Sequence, residues 1–256
     1  MKIKPASNNQ LKLWRKLLKT KYRKNEGLFI AEGERCVEQI VQSGSIEVET
    51  VVVENGYTPG RDISESELPM AAADQDDFHS ISDTETPQGI LAICKIPEEA
   101  SINSLQSKTG LIVAMDAVQD PGNVGTMIRT ASWFNTSGIL FGDGSADPFH
   151  PKVVRSTAGA TGTLPYMKGN LHELFNQFEQ NGWEIFLMDG AEDADEIHDV
   201  KPSDKTILVI GNEGNGITDT LFSPGRRKVR IPGNSHTVES LNAAIALGIG
   251  LYTFMS

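Results

Sequence analysis

The chain has 256 residues, 39% hydrophobic and 22% charged, which suits one large or two compact folded domains. Its net charge of −11 argues at first sight against a nucleic-acid partner. Cys36 and Cys94 stand far apart without CxxC or Cys/His spacing, which argues against a disulfide or zinc framework. Met1-Lys2-Ile3-Lys4-Pro5 lacks the apolar stretch of a secretory signal, and the longest apolar run, Ala243 to Phe254, is too short for a bilayer and reads as a buried helix. A cytoplasmic protein with no membrane partner and no metal is expected.

The charge is unevenly spread. From Met1 to Lys24 there are nine basic residues and no acidic one, whereas acid concentrates in 62–85 and 189–199. A local positive field therefore survives the negative whole-chain balance. Ser7-Asn8-Asn9-Gln10 has capping-box spacing, and Leu11, Trp14, Leu18 and Tyr22 follow at helical period, predicting an amphipathic helix over 8–24 that Gly27 ends. Its outer face carries Lys12, Arg15, Lys16, Lys19 and Arg23, candidate phosphate contacts, or simply a solvated surface. Leu28 to Ala31 reads as a strand, Glu34 to Ser43 as a helix closed by Gly44, and Val48 to Val53 as a strand. Residues 56–83 read as loops with one short helix. Thr86-Pro87-Gln88-Gly89 leads into a strand from Ile90 to Ile93, and the polar, unpatterned 98–107 reads as a linker between domains 1–97 and 108–256.

Beyond Gly110 the pattern alternates strand and helix. Leu111 to Met115 is a buried strand. Asp120 caps a helix whose first residue is Pro121, with Val124, Met127, Ile128 and Ala131 facing a core and Arg129 off that stripe. Ser137 to Phe141 is a strand, and 151–160 a helix with Lys152 and Arg155 on one face, further candidate phosphate contacts. Leu171 to Gln180 is a helix and Trp183 to Met188 a strand. Such alternation implies a parallel sheet covered by helices.

Three pieces near the C-terminus stand out: Gly211-Asn212-Glu213-Gly214-Asn215-Gly216 after a buried strand, Arg230-Ile231-Pro232-Gly233, and Glu239-Ser240-Leu241-Asn242 opening the last apolar run. The first is neither GxGxxG nor a phosphate loop, which disfavours a nicotinamide-linked oxidoreductase. With Pro121-Gly122-Asn123-Val124-Gly125-Thr126-Met127-Ile128-Arg129-Thr130-Ala131, these pieces resemble the SpoU (TrmH) family of RNA ribose 2′-O-methyltransferases, of the SPOUT class. The N-terminal part is similar to that family's substrate-binding domain through its basic helix, Phe29 to Gly33, and the Pro-Gln-Gly step.

The resemblance implies an α/β protein: a small α/β RNA-binding domain, then a SPOUT parallel-sheet domain with a C-terminal trefoil knot, a rare exception to unknotted topology. It implies S-adenosyl-L-methionine as cofactor against Gly211, Ile231 and Leu241, and a homodimer whose site draws on both subunits. It implies 2′-O-methylation of structured RNA, ribosomal RNA preferred and transfer RNA second, with a non-catalytic SPOUT-like RNA-binding protein as the alternative. It places Arg129 in catalysis, as base or as phosphate anchor, with Asn123, Glu213, Ser240 and Asn242 around it. By themselves, Asn123 and Ser240 could equally be helix caps, and Arg129 could pair with Glu213. Arg226, Arg227, Lys228 and Arg230 form a second basic cluster, part of it open to solvent. The loop from Ile231 to Ser240 is one residue longer than the common family form and carries His236, and Ala243-Ala244 replaces Val-Ser.

Overall fold

The computed structural model describes residues 3–234 and 240–255. The chain begins with β1 (Lys4–Pro5), α1 (Asn8–Leu17), α2 (Thr20–Glu26), β2 (Leu28–Glu32), α3 (Glu34–Ser43), β3 (Val48–Glu54), α4 (Arg61–Ser64), β4 (Met70–Ala73), α5 (Gln75–Ile81) and β5 (Ile90–Lys95). The capping box forms: Ser7 Oγ accepts from Gln10 N and Gln10 Oε1 accepts from Ser7 N. The single helix expected over 8–24 is broken, because Lys19 adopts extended backbone (φ −105°, ψ 129°). The break leaves the Leu17 carbonyl available to Arg23 Nη1 at 2.8 Å.

Residues 56–83, expected to hold loops and one short helix, also contribute β4 and α5. Met-Ala-Ala-Ala has no alternation to reveal a strand. Pairing decides it, with Ala71 opposite Val52 on one side and Lys4 on the other. These strands form a mixed sheet in the order β1-β4-β3-β5-β2, with β5 antiparallel to both neighbours. Leu11, Trp14, Leu17, Ile30, Phe78 and Ile81 belong to the core on its helical side.

Next come α6 (Ile102–Gln106), β6 (Gly110–Met115), α7 (Pro121–Trp133), β7 (Gly138–Gly142), α8 (Pro151–Ser156), β8 (Tyr166–Gly169), α9 (Leu171–Glu179), β9 (Glu184–Met188), β10 (Asp195–Glu196), β11 (Lys205–Ile210), β12 (Arg227–Arg230) and α10 (Ala243–Met255). The seven strands make a wholly parallel sheet, β10-β12-β9-β11-β6-β7-β8, as strand–helix alternation requires. The threading that would make the implied knot includes 235–239, which lie outside the described residues.

The chain divides into two compact units: residues up to Glu98 with 147–163, and 99–146 with 164 onward. This differs from domains at 1–97 and 108–256 joined by a linker at 98–107. Helix α6 occupies half of that linker, and its Leu105 is fully buried among Ile112, Leu140 and Phe175. Segment 147–163 joins the first unit through side-chain pairs that local sequence cannot show. Arg23 grips Asp147, Arg155 grips Glu32 and Asp83, and Phe149 packs against Phe29. The helix expected over 151–160 stops at Ser156, followed by left-handed Ala158 (φ 49°) and Gly159 (φ 93°).

Candidate active site

Strands β6 and β11 lie side by side in parallel register, Met115 opposite Ile210, so the loops that follow both emerge at one carboxyl edge of the second sheet. That edge is where parallel α/β sheets build their sites. After β11 the chain folds back on itself. Asn212 and Gly216 exchange backbone hydrogen bonds of 2.9 and 3.0 Å. Asn212 Oδ1 accepts from the amides of Gly214 and Asn215, and its Nδ2 donates to the Ala117 carbonyl at 2.8 Å. Asp116 Oδ2 accepts from Thr218 N at 2.7 Å. Gly211 is obligatory here: a Cβ would stand 2.4–2.5 Å from backbone atoms of Gly216 and Ile217, which cannot swing aside as a side chain can.

Helix α7 starts as its sequence predicts. Asp120 Oδ1 accepts from Asn123 N at 2.8 Å, and Pro121 fills the first turn. The cap is therefore Asp120, and the Asn123 side chain is available for other work. Its Nδ2 donates to Glu213 Oε1 at 2.9 Å, and its Oδ1 accepts from Asn242 Nδ2 at 3.0 Å. Glu213 Oε2 accepts from Gln119 N at 3.4 Å. Asn242 Oδ1 accepts from Ala244 N and Ile245 N, so Asn242, not Ser240, caps α10. One relay, Asn242–Asn123–Glu213, thus binds together three segments far apart in sequence. Asp116, Asn212 and the Gln119 amide complete this scaffold. Asn212 lay in the glycine-rich piece without an assigned role, and no local motif marked Asp116 or Gln119, because their roles arise only when β6 and β11 become neighbours.

Arg129 does not join the relay. At 3.6 residues and 5.4 Å per turn, it sits about 240° round α7 and about 9 Å along from Asn123. It is exposed, and among the described residues it makes no hydrogen bond or ion pair. Glu213, offered as its partner, is committed to Asn123 and Gln119 instead. Ser240 is also exposed. Trp133, one turn beyond Arg129 on the same side, is 84% exposed.

The cofactor candidates fit a nucleoside. Gly211 offers backbone alone, Ile231 is partly exposed, and Leu241 is 49% exposed, leaving aliphatic surface uncovered. The Arg230 Nε next to Ile231 is buried without a partner among the described residues. His236 lies outside the described residues. Glu196, His198 and Asp199 bring three ligand-type atoms within 4.8 Å of one another, but Glu196 Oε1 is already bound by Arg230.

The candidate RNA contacts separate by residue type. Lys12, Lys16, Lys19 and Lys152 are exposed. The arginines are all paired, Arg15 at the exposed surface and Arg155 and Arg23 further inside. Arg15 bonds Asp77 and Ser80, and Arg155 spans Glu32 and Asp83. Arg23 is fully buried against Leu17 O, Thr20 and Asp147, so it cannot meet a phosphate without breaking the fold. The second basic cluster is likewise paired. Arg226 is buried on Glu179, Asn176 and Leu221 O, while Arg227, Lys228 and Arg230 hold Asp195, Asp193 and Glu196.

Helix α10 has no charged residue. Ala243, Leu247, Leu251 and Phe254 are buried, yet Ile245, Ile249 and Tyr252 form a second apolar stripe that is 55%, 36% and 66% exposed. The expected burial of this run is thus half met within one chain. No helix among the described residues is long and apolar enough to cross a membrane.

Residues 110–252 match the SpoU rRNA Methylase family, and residues 8–92 match the MRM3-like substrate binding domain. The chain is 33% identical over 253 residues to the 23S rRNA (guanosine(2553)-2′-O)-methyltransferase RlmP of Bacillus subtilis, covering 98% of this chain and 97% of that protein. A putative RNA methyltransferase of the TrmH family from Porphyromonas gingivalis superposes with a TM-score of 0.80 at 31% identity, covering 97% and 98% of the two chains. The SpoU methyltransferase AviRb from Streptomyces viridochromogenes, solved in complex with AdoMet, shares the fold at TM-score 0.85 and 24% identity over 97% of each chain.

Proposed function

The chain belongs to the SpoU rRNA methylase family, as an S-adenosylmethionine-dependent RNA ribose 2′-O-methyltransferase, and we propose that it modifies 23S rRNA at the guanosine corresponding to position 2553 in its Bacillus subtilis relative. The full-length match to that relative, covering nearly all of both chains, supports this choice over transfer RNA. A cytoplasmic setting follows from such a substrate.

S-adenosylmethionine supplies an electrophilic methyl group on a sulfonium. The protein's part is to hold the 2′-oxygen in line with it. The relay Asn242–Asn123–Glu213 ties the loops that carry Gly211 and Leu241 to the start of α7, so that backbone there can receive the nucleoside without reorganising, with Ile231 offering further surface after β12. Arg129 acts as an anchor for the phosphate beside the target ribose rather than as a base, because a guanidinium offers only donors.

The observation that carries this reading is the separation of Arg129 from the relay. Arg129 faces outward beside exposed Trp133, while α10 leaves an apolar stripe uncovered. A helix apolar all round is stable only when buried. A homodimer that covers the stripe of α10 would bring the outward Arg129 of one chain to the relay of the other.

The test is methyl transfer from labelled S-adenosylmethionine to unmodified 23S rRNA, with the product mapped at nucleotide resolution. The expected product is a single 2′-O-methylguanosine. Arg129→Ala is expected to keep cofactor affinity and lose at least about 100-fold in turnover. Methylation elsewhere only, or near-normal turnover by the variant, would refute the target or the role of Arg129 respectively.

A further inference from the structure

The first unit contains a cavity of about 270 Å³ that methyl transfer does not use. It lies where β2 ends and α3 begins, beside the 84–88 segment and residues 155 and 158. Small-molecule sites usually span roughly 300–1,000 Å³, so this cavity has room for a single ring system and not for a second cofactor.

Its floor is a carboxylate with no capacity left. Glu32 is 2% exposed, and Oε1 accepts from the hydroxyls of Ser82 and Thr84, while Oε2 accepts from Asp83 N at 3.0 Å and Arg155 Nη1 at 3.1 Å. Gln88 Oε1 accepts from Glu34 N at 3.1 Å. The uncommitted groups in the wall are donors: the Gln88 amide NH₂, the Thr86 hydroxyl, and above all the exposed Arg35 guanidinium, none with a hydrogen bond among the described residues. Cys36 and Ala158 add apolar surface, and Ala158 holds a left-handed backbone (φ 49°) that a non-glycine residue rarely adopts.

Two properties define the ligand. It must present acceptors, because the Arg35 guanidinium and the Gln88 NH₂ only donate, while the Thr86 hydroxyl can do either. It should carry little charge, because Glu32, Glu34 and Asp83 offset Arg35 and Arg155 and leave no positive excess for a phosphate. A guanidinium meets guanine O6 and N7 in a bidentate pair, and proteins read RNA sequence mainly on unpaired bases splayed from loops.

We propose that this cavity takes one unpaired nucleobase of the RNA substrate, a guanine other than the methylated nucleotide, through Arg35. The proposal rests on the RNA substrate inferred above.

The test measures binding of the full chain to an unmodified 23S rRNA transcript, and to one made with 7-deazaguanosine, over several salt concentrations. Arg35→Ala should weaken binding to the normal transcript about 5- to 100-fold. The salt slope, the cofactor affinity and the unfolding midpoint should not change. Deaza substitution should weaken wild-type binding but add little in the variant. Unchanged affinity in Arg35→Ala would overturn the proposal. So would a salt slope reduced by about one with the deaza effect intact, because that marks a phosphate contact. Failure of the wild-type protein to bind or methylate any rRNA would instead remove the functional reading beneath it.

Discussion

Replacing Arg23 with Met should cripple folding of the first unit and leave RNA recognition nearly untouched. Arg23 donates to Asp147 Oδ2 from Nε at 3.1 Å and from Nη2 at 2.7 Å, to Leu17 O at 2.8 Å and to Thr20 Oγ1 at 2.9 Å. Its side chain is 0% exposed and that of Asp147 is 15% exposed, so solvent screens the pair weakly. Methionine keeps the apolar stem but removes both donors to Asp147 Oδ2 and the donor to the Leu17 carbonyl. Removing one partner of a buried pair costs about 3–5 kcal/mol. At about 2–4 °C per kcal/mol, the calorimetric midpoint should fall by about 6–20 °C. The double variant Arg23→Met/Asp147→Leu should recover part of the loss, since it also removes the carboxylate that has lost its guanidinium. RNA titrations below the new midpoint should keep the wild-type salt slope. A midpoint within about 2 °C of wild type, with a slope lowered by about one, would show that Arg23 meets phosphate and that its burial is misread.

Gly211→Ala should abolish calorimetric binding of S-adenosylmethionine, because its Cβ would collide with the backbone of Gly216 and Ile217 and force the loop open; normal affinity would displace the pocket from this loop. Burial pushes the Cys36 thiol up to about 11 and raises Cys94 as well, so neither should react with Ellman's reagent at pH 8 until urea is added, and rapid native labelling would contradict their burial. The fold holds the Cys36 proton more tightly than the unfolded chain does, so that stabilising contribution is complete below about pH 9 and is lost as pH rises towards about 11. If the proposed homodimer forms through α10, Ile249→Glu with Tyr252→Glu should convert it to a monomer by sedimentation with little methyl transfer, whereas a molecular mass equal to the wild type's would refute that interface.

Much of the architecture was legible because its signals are local. Asp120 before Pro121, Ser7 three residues before Gln10, and Gly27 and Gly44 closing their helices act over a single turn, and each appears where expected. The alternation of apolar strands with amphipathic helices sufficed for a parallel sheet, since each strand must be covered on both faces. The motif residues Asn123, Glu213 and Asn242 were also legible, as parts of a recognisable family pattern. What tertiary structure alone decided was the use of each polar group. Arg23, Arg155 and Arg226 looked as basic as Lys12 or Lys152, but they are locked to carboxylates from distant segments. Segment 147–163 joins the first unit through the same kind of pairing, and β4 is a strand because β1 and β3 flank it. Sequence determines which charges a chain carries and how its backbone turns locally. Whether a charge meets solvent or a buried partner depends on which remote residues the fold brings within about 3 Å, where desolvation and pairing outweigh local propensity.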